Sequence, residues 1–249
     1  MPRSADPAVV TPFHIQLMEI VREAGTAHDV ENLRLDGGTA LAAFHLHHRE
    51  SEDLDFFCDP PLNAAQFGEE VQARAAAHGV EVTSMGRANV GISRLVARNP
   101  ERPEQQVKID LVLQSPFRLE PLEDTAHGIR IPSYRDICAG KLHAICDRYE
   151  ERDFIDLHVI LTRSDAGKPV SDEDVCDRFE RLLRDLMECD PGLDPPYVGQ
   201  AISQGLGRPI LGEFPLRVLL PLEEAALQHT IELCANECAR QTQRAAPES

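Results

Sequence analysis

The sequence has no long apolar run, few basic residues for its acidic content and no CxxC cysteine pair. No stretch approaches the roughly 18–20 apolar residues that cross a bilayer, and the first ten residues lack the apolar core of a secretion signal. We therefore expect a cytoplasmic protein that is not a membrane protein. The 25 lysines and arginines are outnumbered by 42 acidic residues, which gives a formal net charge of −17. This charge excludes nucleic-acid binding through a generally basic surface, so an RNA or nucleotide partner needs a local basic site or a metal ion.

The cysteines give no sign of a structural framework. There are seven, an odd number, and the absence of a secretion signal favours reduced thiols. Cys234 and Cys238 lie one helical turn apart, where helix packing is favoured over metal binding because two thiols do not make a zinc site.

The predicted elements divide the 249 residues into two parts. A helix capped by Thr11 comes first, and Gly37-Gly38 and Asn63 precede two more helices. Alternating or short apolar patterns predict strands at about 33–36, 53–57, 80–85, 91–97 and 106–113. Beyond about residue 115 the patterns predict helices at about 133–147, 153–162, 171–194 and 222–244. We expect an α+β fold, with a mixed sheet and flanking helices in residues 1–120 and a helical bundle in residues 121–249.

Three carboxylates are the main candidates for a metal site. Asp53 and Asp55 occupy positions i and i+2 of a predicted strand, so both face the same side. Their mutual repulsion is relieved if a cation lies between them, and Mg²⁺ prefers such oxygen ligands. A third carboxylate, Asp110, interrupts an apolar strand and needs a partner if it is buried. The alternative for an isolated Asp-x-Asp pair is a solvated acidic strand edge.

A diglycine turn precedes the first of these strands. Gly37 and Gly38 allow the backbone to approach a ligand closely, the following helix start offers N–H groups to phosphates, and Thr39 adds a hydroxyl. Most such pairs are ordinary turns. Together with three carboxylates, however, the turn indicates a triphosphate site with amides on one side and Mg²⁺ on the other.

Three segments extend this pattern: GGTALAAFHLHHRESEDLDFF, KIDLV and DICAGKLHAICDRYEERDFIDLHVIL. In order and spacing they resemble the four motifs of the AbiEii/AbiGii-type nucleotidyltransferases, toxin components of type IV toxin–antitoxin systems in the DNA polymerase β-like superfamily. The resemblance spans roughly residues 30–162. It implies a polymerase β-like fold for the first domain, phosphate contacts by Gly37, Gly38 and Thr39, and metal binding by Asp53, Asp55 and Asp110.

The resemblance also implies roles for two residues of the helical part, Lys141 as a phosphate or nucleobase contact and Asp156 as a functional carboxylate. The residues themselves leave other interpretations open. A lysine at the edge of an apolar helix face is usually a surface residue that extends to water. Asp153 suits a helix N-terminus, and Asp156, surrounded by apolar residues, suits a salt bridge to Lys141 or Arg148.

Other polar residues are weaker candidates. His45, His47 and His48 do not converge on one ion at their helical spacing, and we expect them at the surface or rim of the site. Arg49 could reach a phosphate or cap the helix, and Ser51 is expected to shape the turn before the Asp53 strand. Arg94, Arg98 and Lys108 could form the local basic patch or pair with the surplus acids.

The expected activity is transfer of a nucleoside monophosphate from an NTP to an acceptor hydroxyl, with Mg²⁺ as cofactor and Mn²⁺ as a second option. The resemblance implies RNA such as the tRNA 3′ end as acceptor, and a cognate antitoxin as partner. Catalysis would depend on Asp53, Asp55, Asp110, Lys141 and Asp156. The alternatives are a small-molecule nucleotidyltransferase and a non-catalytic member that acts by protein binding.

Overall fold

The computed structural model describes residues 2–114, 117–164, 169–211 and 217–245. The chain forms two compact units, of which the first ends at Tyr134 and the second begins at Arg135. This division comes later than the expected boundary at residue 120, because two short strands between the two positions still belong to the sheet. In the described ranges, no helix is long and apolar enough to span a membrane.

The first unit contains a sheet and the helices that flank it. Its helices are α1 (Pro12–Ala27), α2 (Gly37–Leu41) and α3 (Ala64–Ala77), and α2 continues into a π-helical turn (Ala42–Leu46). Its strands are β1 (Arg34–Asp36), β2 (Asp53–Cys58), β3 (Glu81–Ser84), β4 (Ile92–Arg98), β5 (Gln106–Leu113), β6 (Glu123–Asp124) and β7 (Arg130–Ile131). The predicted strands are therefore present, whereas β6 and β7 are too short to produce an alternating pattern.

Within the described residues the strands form one mixed sheet, in the order β3-β4-β5-β2-β1-β7-β6. β2 runs parallel to β5 and β1 runs parallel to β7, whereas the other neighbouring pairs are antiparallel. β2 and β5 are consequently central strands, which places the Asp-x-Asp pair and Asp110 side by side in the middle of the sheet.

The two faces of the sheet differ in burial. Leu54 and Phe56 on β2, like Ile109 and Leu111 on β5, are fully buried. This face packs against α3, where a Cβ added to Gly68 would contact β4. Side chains alternate along a strand, so the partly exposed aspartates lie on the opposite face.

Side-chain caps define the starts of two helices of the first unit, α1 and α3. Thr11 accepts the N–H of His14 and so caps α1, with Pro12 in the first turn, as predicted. The Asn63 side chain accepts two N–H groups at the start of α3. Both helices therefore begin where their capping residues predict.

The second unit is helical, as predicted. It contains α4 (Tyr134–Asp147, whose first residue closes the first unit), α5 (Glu151–Thr162), α6 (Asp172–Cys189), α7 (Pro195–Ser203) and α8 (Glu224–Ala245). α8 packs against α5, α6 and α7. Cys234 and Cys238 are buried on α8, where Cys238 contacts Gly199 of α7, so these thiols serve helix packing.

Candidate active site

The strand register brings the predicted carboxylates together on the partly exposed face of the sheet. Asp55 lies directly opposite Asp110 on the parallel strand β5 and opposite Asp36 on the antiparallel strand β1. Asp53 faces the same side two residues earlier. Neighbouring strands are about 4.8 Å apart, so these four side chains form a compact acidic row.

The acidic row is electrostatically unfavourable without a counter-charge. Two unit charges about 5 Å apart repel by roughly 3 kcal/mol at an effective dielectric constant of about 20. Partial burial raises the pKa of Asp110, the charge of Asp53 raises it further, and Arg94 and Lys108 act in the opposite direction. The Nε of Arg94 lies 3.5 Å from Asp110, and the Nζ of Lys108 lies 4.0 Å from Asp53.

The donor set fits a divalent cation, although its ligands are not pre-arranged. Carboxylate oxygens on one open face are the ligands that Mg²⁺ prefers. In the part of the chain that the structure describes, no three acidic, histidine or cysteine side chains already surround a common point. Arg94 and Lys108 are exposed and weakly held, so their side chains can rotate away when a metal ion supplies the positive charge.

The diglycine turn lies directly against the acidic row. Gly37 has a φ of +67°, in the left-handed region, and a Cβ at this position would collide with the carboxylate of Asp55. Its N–H donates to the Asp36 carboxylate at 2.7 Å. A Cβ at Gly38 would lie 2.5 Å from the guanidinium of Arg49. Glycine is therefore required at Gly37 by both conformation and space.

Thr39 has a different position from the one expected for a phosphate ligand. The side chain is fully buried, and its hydroxyl donates to the backbone carbonyl of Asp53. The hydroxyl also lies 2.6 Å from that of Ser51. These bonds fix the start of β2, so the Thr39 hydroxyl holds Asp53 in place, and any phosphate contact would come from its backbone.

Lys141 lies in the second unit between two aspartates. Its Nζ is 2.7 Å from Asp156 and 3.1 Å from Asp153, and both carboxylates are fully buried. The salt bridge expected between Asp156 and Lys141 is therefore present, and Arg148 pairs with Asp153 instead. Lys141 is itself buried, which contradicts the alternative interpretation as a surface lysine.

The histidines differ from expectation. His45 and His48 are buried, whereas the prediction placed them at the surface or rim. The π-helical turn ends at His47, which has a left-handed conformation, so α-helical spacing does not apply across these residues. Only the side chain of His47 is substantially exposed among the three, at 42%.

Two residues near the site, His14 and Asp36, were not identified from the sequence. His14 on α1 is buried, which lowers its pKa, and Asp53 is close enough to oppose that shift. Asp36 precedes the diglycine turn and faces Asp55 across the strand pair. A single histidine or aspartate has no periodic pattern, so no sequence signal marks these two residues. Arg49, which the sequence offered for a phosphate contact or a helix cap, is almost fully buried against the diglycine turn.

Comparison with known proteins identifies the family. A model of the family described as nucleotidyl transferase AbiEii toxin, type IV TA system, matches residues 20–232. No curated protein sequence matches the chain. These matched residues cover most of the sequence and include all the predicted site residues.

Several solved structures are similar. A candidate nucleotidyltransferase from H. pylori has a TM-score of 0.52 and 19% identity, over 95% of this chain and 97% of that chain. JHP933 from Helicobacter pylori has a TM-score of 0.50 and 19% identity over the same shares. The toxin MenT4 from Mycobacterium tuberculosis has a TM-score of 0.47 and 17% identity, over 93% and 90%. The fold is therefore the α+β, polymerase β-like nucleotidyltransferase fold, and the chain belongs to the AbiEii nucleotidyltransferase toxin family.

Proposed function

We propose that the protein transfers a nucleoside monophosphate from Mg²⁺-bound NTP to a hydroxyl group of RNA, such as the 3′ end of a tRNA. As a toxin of its family, it would be neutralised by a cognate antitoxin protein. One observation carries the proposal: the diglycine turn lies directly against the acidic row. Asp55 is opposite Asp110 on the open face of the sheet, and its carboxylate occupies the space that a side chain at Gly37 would fill.

The carboxylates have separate tasks in this proposal. Asp53, Asp55 and Asp110 would hold Mg²⁺ or Mn²⁺, which when bound neutralises phosphate charge and lowers the pKa of a coordinated hydroxyl. Asp110, which lies beside Asp55 on the open face of the sheet, would accept the proton of the attacking hydroxyl. A bond then forms between the acceptor oxygen and the α-phosphorus as the bond to pyrophosphate breaks.

The diglycine turn would hold the outgoing phosphates. We propose that the backbone at Gly37, Gly38 and Thr39 contacts the β- and γ-phosphates, because a side chain at either glycine would block a close approach. The N–H of Gly37 already donates to Asp36. The amides of Gly38 and Thr39 are accordingly the better candidates.

Lys141 and Asp156 complete the proposed catalytic set. Lys141 would neutralise charge that develops on the phosphates in the transition state. Asp153 and Asp156 hold its ammonium at 3.1 and 2.7 Å. Asp156 thus acts through Lys141 and not directly on substrate in this proposal.

The activity is tested by incubating the protein with Mg²⁺, α-labelled NTPs and total tRNA. Asp55→Asn removes one charge from the acidic row and should abolish labelling. Asp29→Asn is the matched control, since Asp29 is exposed in a left-handed turn that asparagine tolerates. Equal labelling by Asp55→Asn and the wild type would refute the assigned carboxylates.

The same assay separates the alternatives. Labelling of small hydroxyl or amine compounds without labelling of tRNA would favour a small-molecule transferase. A non-catalytic protein would show no thermal stabilisation by Mg²⁺–NTP, whereas a ligand at 100 times its Kd stabilises the folded state by about 2.7 kcal/mol.

A further inference from the structure

A second group of charged residues lies one step along β1 from the acidic row. Arg34 is two residues before Asp36, and the two side chains approach within 3.9 Å, so they share a face. In the register of the sheet, Arg34 lies opposite Arg130 on β7. A cavity of about 570 Å³ lies beside this row, and its polar lining residues are Asn32, Arg118, Glu120 and Arg130.

Asp59 holds two of the arginines in fixed positions behind and beside the cavity. One of its oxygens accepts from Arg34 at 3.0 Å, and the other accepts from Arg118 at 2.6 Å and from Asn32 at 2.7 Å. We call Asp59 and the side chains that donate to it the Asp59 hub. Asp59 is 7% exposed and Arg34 is 2% exposed, so the centre of this hub is buried. The Arg118 side chain is 16% exposed and reaches the cavity wall.

Arg130 adds a positive charge to the cavity that Asp59 does not neutralise. Over the described ranges of the chain, no acidic side chain forms an ion pair with Arg130, although Asp124 lies opposite on β6. The lining therefore carries two guanidinium groups and one carboxylate, Glu120, which is exposed at the rim. This is a local positive charge in a protein whose net charge is −17.

The chemistry of the lining points to a phosphate ligand. Guanidinium groups match phosphate oxygens with paired N–H donors, and Arg118, which Asp59 holds in place, loses little entropy on binding. The cavity volume admits a phosphodiester with its sugars. The cavity lies on the same face of the sheet as the acidic row, so a phosphate bound in it could belong to a substrate that also reaches the acidic row.

We propose that this cavity binds a backbone phosphate of the polynucleotide acceptor, through Arg130 and Arg118, while the acidic row binds Mg²⁺–NTP. The proposal rests on the proposed function, because it takes the acceptor to be a polynucleotide and assigns that acceptor a place on the first unit. It also accounts for RNA binding by an acidic protein, which needs a local cationic site. Arg34 and Asp59 act here as positioning residues.

Arg130→Gln tests the proposal with little risk to folding, because Arg130 is only partly buried and lies outside the Asp59 hub. Arg102→Gln is the matched control, since Arg102 is exposed and lies in the loop between β4 and β5. Arg130→Lys retains the charge. Binding of total tRNA is measured at several salt concentrations without NTP, and Mg²⁺–ATP binding is measured separately by thermal shift.

The expected loss for Arg130→Gln is about tenfold to a hundredfold in tRNA affinity, the range for a hydrogen bond to a charged group. The slope of log affinity against log salt should fall by about 1, as expected for one lost phosphate contact. Arg130→Lys should keep the slope. The Mg²⁺–ATP thermal shift should be unchanged in all three variants.

Three results would overturn the proposal. The first is equal tRNA affinity of Arg130→Gln and Arg102→Gln. The second is loss of the Mg²⁺–ATP shift in Arg130→Gln, which would make the cavity part of the NTP site. The third is Arg130-dependent binding of inorganic phosphate without Arg130-dependent binding of tRNA. Because tRNA binding is measured without turnover, absence of transferase activity refutes the proposed function and leaves this test intact.

Discussion

Replacement of Gly37 by alanine should separate the backbone role of the diglycine turn from its role at the acidic row. Gly37 has a φ of +67°, and a Cβ there would collide with Asp55. Gly79 has nearly the same conformation, with a φ of +72°, but a Cβ there meets nothing within 4 Å. The two glycines therefore impose the same conformational penalty on alanine, and only one of them adds a clash.

The magnitudes follow from these two terms. A left-handed conformation costs an L-residue about 1–2 kcal/mol, so Gly79→Ala should lower the free energy of unfolding by about 1 kcal/mol. Overpacking adds about 1–3 kcal/mol at Gly37, unless the Asp55 carboxylate moves away and relieves it. Gly37→Ala should thus lose about 2–4 kcal/mol, or about 1 kcal/mol with a displaced Asp55.

Either result at Gly37 moves or strains the same carboxylate, so Gly37→Ala should lose the thermal stabilisation by Mg²⁺–NTP and the transfer of label. Gly79→Ala should keep both. Urea unfolding gives the free energies from midpoints at constant slope. If Gly37→Ala retains the Mg²⁺–NTP response of Gly79→Ala, the placement of the turn against the metal site is wrong.

Two further predictions concern the second unit. Lys141→Met leaves Asp153 and Asp156 buried without their ammonium partner, and should lower the free energy of unfolding by about 3–5 kcal/mol, measured by urea unfolding. The control Lys108→Met removes a 60% exposed side chain and should change this free energy by less than about 0.5 kcal/mol. Equal stabilities of the two variants would contradict the buried ion pairs of Lys141 with Asp153 and Asp156. Burial lowers the pKa of His158, so the folded state resists its protonation and loses stability as the pH falls below the unfolded-state pKa of about 6.5. The melting temperature of the wild type should therefore fall more steeply between pH 7 and pH 5 than that of His158→Asn, and parallel curves would show that His158 is not the titrating group.

The sequence predicted the elements that carry strong local signals. The alternation in β2 and β5, and the caps at Thr11 and Asn63, identify these strands and helices because each depends on neighbours within a few residues. The family resemblance rested on the same local motifs, and the family match confirmed it. The short strands β6 and β7 were missed, since two residues show no periodicity.

The sequence alone could not assign the polar side chains that depend on packing. Thr39 was predicted as a phosphate ligand from its place after the glycines, yet its hydroxyl holds the backbone of Asp53. His45 and His48 were predicted at the surface from an α-helical spacing that the π-helical turn does not follow. The carbonyl group that Thr39 binds is one that only the folded chain brings near.

The sequence by itself pointed to Asp53, Asp55, Asp110 and the diglycine turn, because a carboxylate on an apolar strand and a glycine pair before a helix are local patterns. Only the tertiary structure decided that Asp36 joins the row, and that Asp59 gathers Arg34 and Arg118 beside Arg130. These contacts join residues far apart in the chain, and their geometry is set by strand register. Register depends on the pairing of whole strands, which no short segment of sequence specifies.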